Sequence, residues 1–148
     1  DGMNAERILI AGEGLGDCKF FINKGVAYSK ERVVFGHPIG QYQGIQFPLA
    51  KAYAEAQGAD MMARKAAALF DAGLPCGAEA NMAKHLAADA AWACAEACFT
   101  THGGFAFARE YDVERKWREC RILRTAPIST NMILAYIGQH VLGMPRSY

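Results

Sequence analysis

Between Ile45 and Phe70 the apolar positions Ile45, Leu49, Ala52, Ala56, Ala59, Ala63, Ala66 and Phe70 step by 4, 3, 4, 3, 4, 3 and 4 residues. That spacing places all of them on one stripe of an α-helix, and it is incompatible with a strand, whose faces alternate every second residue. The stripe is mostly alanine, the strongest helix former. A seam of such small side chains buries little surface unless another helix comes close, so the chain is constrained to pack helix on helix. Gly73-Leu74-Pro75 ends this helix, with Gly73 placed to cap it.

The rest of the chain repeats the pattern. From about Asn4 to Arg32, Ile8, Ala11, Leu15, Cys18, Ile22 and Val26 recur in steps of three and four, with Asn4 in position to cap the helix. Gly12, Gly14 and Gly16 lie within this helix, where each costs up to about 1 kcal/mol relative to alanine. Close approach of a second helix is expected to offset that cost. Val33 to Gly40 holds two glycines and a proline and reads as a loop. A third helix is expected from about Ala78 to Thr100, with Ala83, Leu86, Ala90, Ala93 and Ala97 on its buried stripe. A short helix follows over Val113–Leu123 and a last one over Ile128–Leu142. No segment alternates, so no sheet is expected. The reading is all-α: one domain over residues 1–148, an up-down four-helix-type bundle with an extra short helix.

Composition excludes several functions. The formal net charge is +1 with basic and acidic residues interspersed, which gives no footprint for nucleic acid. No apolar run approaches the length of a membrane span. The five cysteines form an odd set without CxxC and read as small buried thiols in a reducing compartment. The four histidines lack metal-ligand spacing, so no metal site is expected. Gly12-Glu13-Gly14-Leu15-Gly16 lies within a helix and follows no strand, so it is no nucleotide loop. The serines lack a nucleophile elbow. The opening Asp1-Gly2-Met3-Asn4 has neither an initiating methionine nor signal-peptide character, which fits an excised fragment.

The informative strings lie where helices end. Glu31-Arg32-Val33-Val34-Phe35-Gly36 sets an arginine, able to fork two hydrogen bonds to a phosphate, beside an aromatic and a glycine. Gly103-Gly104-Phe105-Ala106-Phe107 is a bend where backbone can approach a ligand. With these come Gln43, Met82-Ala83-Lys84, His102 before the glycine pair, Glu110-Tyr111-x-Val113-Glu114-Arg115 and Arg118-Glu119-x-Arg121, in that order.

This series resembles the C-terminal domain of the acyl-CoA dehydrogenase family over nearly the whole chain. The resemblance implies a helical bundle that self-associates to a homodimer or homotetramer, with FAD bound at the subunit interface. It implies that Arg32 is the pyrophosphate-binding arginine, with Phe35 in the same loop. Gln43 matches a glutamine that faces the partner subunit's cofactor, and Gly103 and Gly104 match the turn that lets backbone reach the FAD. The family reaction is α,β-dehydrogenation of an acyl-CoA thioester, with electrons passed to an electron-transfer acceptor. A cytoplasmic location is implied, or the mitochondrial matrix in a eukaryote. The family's N-terminal helical and middle β-domains are absent from this chain.

The sequence departs from the family at the usual base. The stretch that matches the family's glutamate-bearing loop reads Pro127-Ile128-Ser129-Thr130-Asn131 and has no carboxylate. Some members carry the base on the first helix instead, and Glu6, within Ala5-Glu6-Arg7-Ile8-Leu9, falls at that position. Pro127 also lacks the N–H that in the family helps polarise the thioester carbonyl. Thr100 stands where glutamine is usual and Ala106 where glycine is. Two alternatives follow: a flavin monooxygenase or oxidase of the same fold, or, for this chain in isolation, an inactive assembly module.

Overall fold

The alanine seam forms the middle of the molecule. The computed structural model describes residues 2–147. Four helical limbs pack together: α1 (Gly2–Glu31), α2 (Gln43–Asp71), α3 (Gly77–His102), and a broken limb made of α4 (Val113–Cys120) and α5 (Thr130–Tyr136). On α2, Leu49, Ala52, Ala56, Ala59, Ala63 and Ala66 are buried, as the spacing predicts. Phe70 is 45% exposed instead of buried. Lys65 pairs with Glu79 in the first turn of α3, so Phe70 overshoots the start of that helix and has nothing to pack on.

The directions of the limbs follow from single contacts. A Cβ on Gly14 would meet Ala87 and one on Gly25 would meet Cys98, so α1 and α3 run parallel. The Cys94 thiol donates to Ala52 O on α2, and with the Lys65–Glu79 pair this makes α2 antiparallel to α3. Trp117 Nε1 donates to Glu96, Arg124 pairs with Asp89 and Tyr136 reaches Gly77, so the α4–α5 limb descends alongside α3. The order is up, down, up, down, as expected from sequence.

α3 is the axis of this arrangement, and its burial departs from the one-sided stripe. Ala80, Ala83, Ala87, Ala90, Ala91, Cys94, Ala95 and Cys98 are buried, whereas Leu86 is 41% exposed. A helix covered on three sides has no single apolar face, and alanine, small enough for either environment, carries almost no amphipathic signal. All five cysteines are free and buried. Burial pushes the Cys98 thiol up to about 12, which leaves it inert at neutral pH.

The glycines of α1 separate into two kinds. Gly14 is required, because a Cβ there would lie 3.2 Å from Ala87 O. Gly12 and Gly16 face open space, so close packing does not explain them. Asn4 is not the helix cap: α1 already includes Gly2, and Asn4 is buried inside the helix with its Oδ1 accepting from Arg7 at 3.1 Å. At the end of α2, Gly73 adopts φ +68, its N–H bonds Phe70 O and Leu74 N bonds Leu69 O, the paired bonds of a glycine-terminated helix.

The connections hold more structure than a loop reading allows. Val33–Val34 (β1) and His37–Pro38 (β2) form a small antiparallel hairpin, with Val34 opposite His37. Phe35 and Gly36 form its tip with φ of 53° and 82°, the doubly left-handed turn that suits strand twist. Two 3-10 turns, Gly103–Phe107 and Arg109–Tyr111, bridge α3 to α4, and α5 runs on into a π-helical turn, Ile137–Val141.

Candidate functional site

The end of the bundle where α1 and α3 finish carries a cleft of about 470 Å³, lined by Tyr28, Arg32, Val34, Ile39, Thr100 to Phe105. Arg32 leaves α1 at its last turn, and its backbone O accepts from Ile39 N at 2.8 Å, which pins the base of the hairpin. Its guanidinium lies 5.6 Å from the Phe105 ring centre, and among the described residues no carboxylate pairs with it. The five-donor fork is therefore unspent. Among the described residues no acidic side chain lines the cleft.

Gly103 caps α3 with φ +57 and ψ −132, and its N–H bonds Phe99 O and Thr100 O. Only glycine takes these dihedrals without strain, so Gly103 is what turns the chain sharply beside Arg32. His102, next to it, is 4% exposed. Its Nδ1 donates to Cys98 O at 2.8 Å and its ring stacks on Tyr28 at 4.2 Å. Burial holds its pKa below the ordinary histidine range, with nearby Lys24 acting in the same direction and the Cys98 hydrogen bond against it. The ring is thus neutral, with Nε2 as the acceptor nitrogen.

Arg32, Gly103 and Gly104, which sequence set 71 residues apart, share one cleft. Phe35 stands at the hairpin tip above it, 91% exposed and left-handed. A bulky non-glycine residue at positive φ costs on the order of 1–2 kcal/mol, so an exposed aromatic there is not explained by folding. Gln43 opens α2 and is exposed, but it does not line the cleft. Tyr28, Val34 and Phe105 complete the lining, and sequence reading did not single them out. Phe105 does lie inside a string that was read as a bend. An unspent guanidinium, a glycine-only turn, aromatic walls and no acid suit a phosphate-bearing ligand with a ring.

Glu6 lies at the opposite end, exposed in the second turn of α1. It is separated from Arg32 by about 39 Å along the helix. The Pro127 loop is at the Glu6 end. Gly14 abuts Ala87 and Gly25 abuts Cys98 with the same offset, which sets Lys84 level with Ala11. Lys84 bonds Ile128 O, so this loop is nearer the Glu6 end of the bundle than the Arg32 end. A larger groove of about 710 Å³ lies between α1 and α2, lined by Ile22, Val26, Ile45, Leu49 and Tyr53. It is mostly apolar and no predicted site residue lines it, although Lys30, Pro38 and Gln41 bring its upper end beside Arg32 and Gln43.

The acyl-CoA dehydrogenase C-terminal domain model matches residues 1–142. An acyl-CoA dehydrogenase of Mycobacterium tuberculosis is 40% identical over 99% of this chain and 38% of its own length. The mitochondrial short/branched chain specific acyl-CoA dehydrogenase of Rattus norvegicus is 32% identical over 94% of the chain and 32% of its own length. Butyryl-CoA dehydrogenase from Megasphaera elsdenii superposes with a TM-score of 0.91 at 30% identity, over 95% of this chain and 37% of that one. The glutaryl-CoA complex of glutaryl-CoA dehydrogenase gives a TM-score of 0.92 at 30% identity, over 97% and 37%. The chain thus spans about a third of the length of the relatives it matches. By sequence and by fold, it belongs to the acyl-CoA dehydrogenase family, as that family's C-terminal domain.

Proposed function

We propose that this chain is the part of an FAD-dependent acyl-CoA dehydrogenase that holds the cofactor's phosphates and supplies the base for α,β-dehydrogenation of an acyl-CoA thioester. The observation that carries the reading is the meeting of Arg32 with the Gly103-Gly104 turn in one acid-free cleft. The family is one of flavin enzymes. Arg32 would pair with the pyrophosphate, Gly103 and Gly104 would bring backbone against it, Phe35 would face it from the hairpin, and Gln43, outside the cleft at the start of α2, would face the partner subunit's cofactor. When bound, FAD supplies the acceptor for the β-hydrogen as hydride.

The base in this reading is Glu6. An α-C–H is a poor acid, so the carboxylate must be within reach, and donors must polarise the thioester carbonyl as charge develops on it. The similar heights of Glu6 and the Pro127 loop on the bundle support their acting on one substrate. Arg32 is farther from Glu6 than one dinucleotide cofactor extends. The two therefore serve different cofactors, which requires at least two copies of the chain. The exposed Phe47, Tyr53 and Met61 on α2 offer apolar surface for that association as a homodimer or homotetramer. An electron-transfer protein as acceptor and a cytoplasmic or matrix location complete the proposal.

Pro127 favours a second reading. With no N–H at the usual donor position, a flavin oxidase or monooxygenase of the same fold needs no explanation for the lost donor. Anaerobic mixing of the full-length enzyme with a panel of acyl-CoA esters separates the two. Flavin bleaching in wild type but not in Glu6→Gln is the expected result. Bleaching in both removes Glu6 from the role, and bleaching in neither gives the lead to oxygen chemistry. The open cleft also predicts that this chain alone is inactive and retains FAD weakly or not at all.

A further inference from the structure

Lys84 is the most deeply buried charged side chain among the described residues, at 1% exposed; Asp17, at 7%, is buried beside its partner Lys116, whereas Lys84 is paired with no carboxylate. Burying an ammonium is costly, and a methionine would fill similar volume without that cost. The cation must therefore do something an apolar side chain cannot. Its Nζ donates to Ile128 O at 2.7 Å, across 44 residues of sequence. That oxygen belongs to the loop that follows Pro127.

The same loop is tied at two more points. Arg124 Nε lies 3.0 Å from Asp89 Oδ1 on α3, one turn beyond Lys84. Thr130 Oγ1 donates back to Arg124 O at 3.2 Å. The Ile128 tie differs from these in what it orients. A trans peptide is planar, with C=O and N–H pointing opposite ways. The Ile128–Ser129 peptide is trans, so drawing its carbonyl inward to Lys84 turns Ser129 N–H away from α3. Among the described residues nothing accepts from that N–H.

We propose that Lys84 is a positioning residue for the reaction: from within α3 it fixes the Ile128–Ser129 peptide, so that the loop offers the Ser129 amide to the thioester carbonyl where Pro127 has none to give. The inference rests on the dehydrogenase reading above. It adds an answer to the difficulty Pro127 poses, because the donor lost at one peptide is replaced two peptides on and held from the core. Lys84 touches no substrate and acts only through the peptide.

The test uses the full-length, FAD-loaded enzyme. Wild type, Lys84→Met and Gly14→Ala are compared by melting temperature, flavin content, acyl-CoA affinity and the limiting rate of anaerobic flavin reduction per bound flavin. Gly14→Ala strains the α1–α3 contact at Ala87, one turn from Lys84, without removing any tie to the loop, and serves as the measure of plain destabilisation. Lys84→Met is expected to slow flavin reduction about 100-fold, the effect of one lost oxyanion donor, with acyl-CoA affinity little changed. Gly14→Ala is expected to melt earlier and reduce its flavin at the wild-type rate. If Lys84→Met also reduces at the wild-type rate, Lys84 is a structural strut and the proposal falls while the dehydrogenase reading stands. If Lys84→Met does not fold, Thr130→Val loosens the same loop more gently. A several-fold slower reduction then supports the proposal and an unchanged rate overturns it. Failure of every ester to reduce wild-type flavin removes the dehydrogenase reading, and this proposal with it.

Discussion

The two ends of the bundle hold their proposed ligand-facing groups by different means. At the Arg32 end the backbone does the holding: a two-residue turn with both φ positive carries Phe35, and a glycine-only conformation at Gly103 bends the chain beside the guanidinium. At the Glu6 end side chains do it: Lys84, Asp89 and Thr130 tie down a loop with little regular structure. Backbone devices are local and tolerate few residue types, so they leave marks in sequence. Side-chain ties join distant positions and leave almost none.

The sharpest way to break the comparison is at Arg32. Its fork meets no carboxylate among the described residues, so removing it costs the fold only the contact with the Phe105 ring. Arg32→Ala in the full-length enzyme should weaken FAD binding by about 1.5–3 kcal/mol, the range for hydrogen bonds to a charged group, with a melting temperature for the apoprotein close to wild type. Equilibrium titration of apoprotein with FAD measures it. Unchanged affinity would mean that the cleft is not the phosphate site.

Gly103 comes next. Gly103→Ala forces a Cβ into a conformation that costs on the order of 1–3 kcal/mol, although no atom lies within 4 Å of where that Cβ would be. The loss is therefore conformational and not steric, and Gly103→Asn should cost about as much, because asparagine's tolerance of positive φ belongs to the left-handed region and not to ψ −132. Denaturant unfolding of the three proteins measures both losses. No loss in either variant would show that the turn relaxes and is not fixed by its dihedrals.

This contrast also explains how far the sequence could be read. The seam from Ile45 to Ala66 and the stop at Gly73 are legible because period and glycine placement are local physics, whereas the association of Arg32 with the glycine turn comes only from the family resemblance of the ordered strings. The hairpin at Val33–Pro38 is not legible, since two-residue strands are too short to alternate. Leu86 falls on the stripe that spacing turns toward the core, but alanine on every side of α3 hides which face is inward. Phe70 extends the α2 seam, yet periodicity cannot tell where the partner helix begins. Lys84 lay in a recognised string, yet nothing in the string says that its partner is Ile128.

A smaller pair of effects, opposite in sign, tests the first helix. Gly14→Ala should destabilise by about 1 kcal/mol or more, because the nearest atom is backbone at Ala87 and cannot swing aside. Gly12→Ala meets no atom within 4 Å. It should stabilise by about 0.5–1 kcal/mol through helix propensity and a less flexible unfolded chain. Chemical denaturation reads both, and a loss at Gly12 would mean that its face is covered in the folded assembly.

The smallest effect is a slope with pH, and it belongs to the Arg32 end. His102 is neutral in the fold because burial disfavours its charged form, with Lys24 opposing protonation as well. Its folded pKa is therefore below the unfolded value of about 6.5. As pH falls past that value the unfolded chain takes up a proton that the folded chain does not, so stability declines toward acid and is fully present above it. For one group the loss at pH 6 is below about 1 kcal/mol. Replacing His102 with glutamine removes the titrating group, so the difference in stability between the two proteins should change between pH 7 and pH 5.5 and be constant above pH 7.5. A difference that stays constant throughout would mean that His102 opens to solvent and takes its proton in place, which would leave the cleft wall far softer than the Tyr28 stack implies.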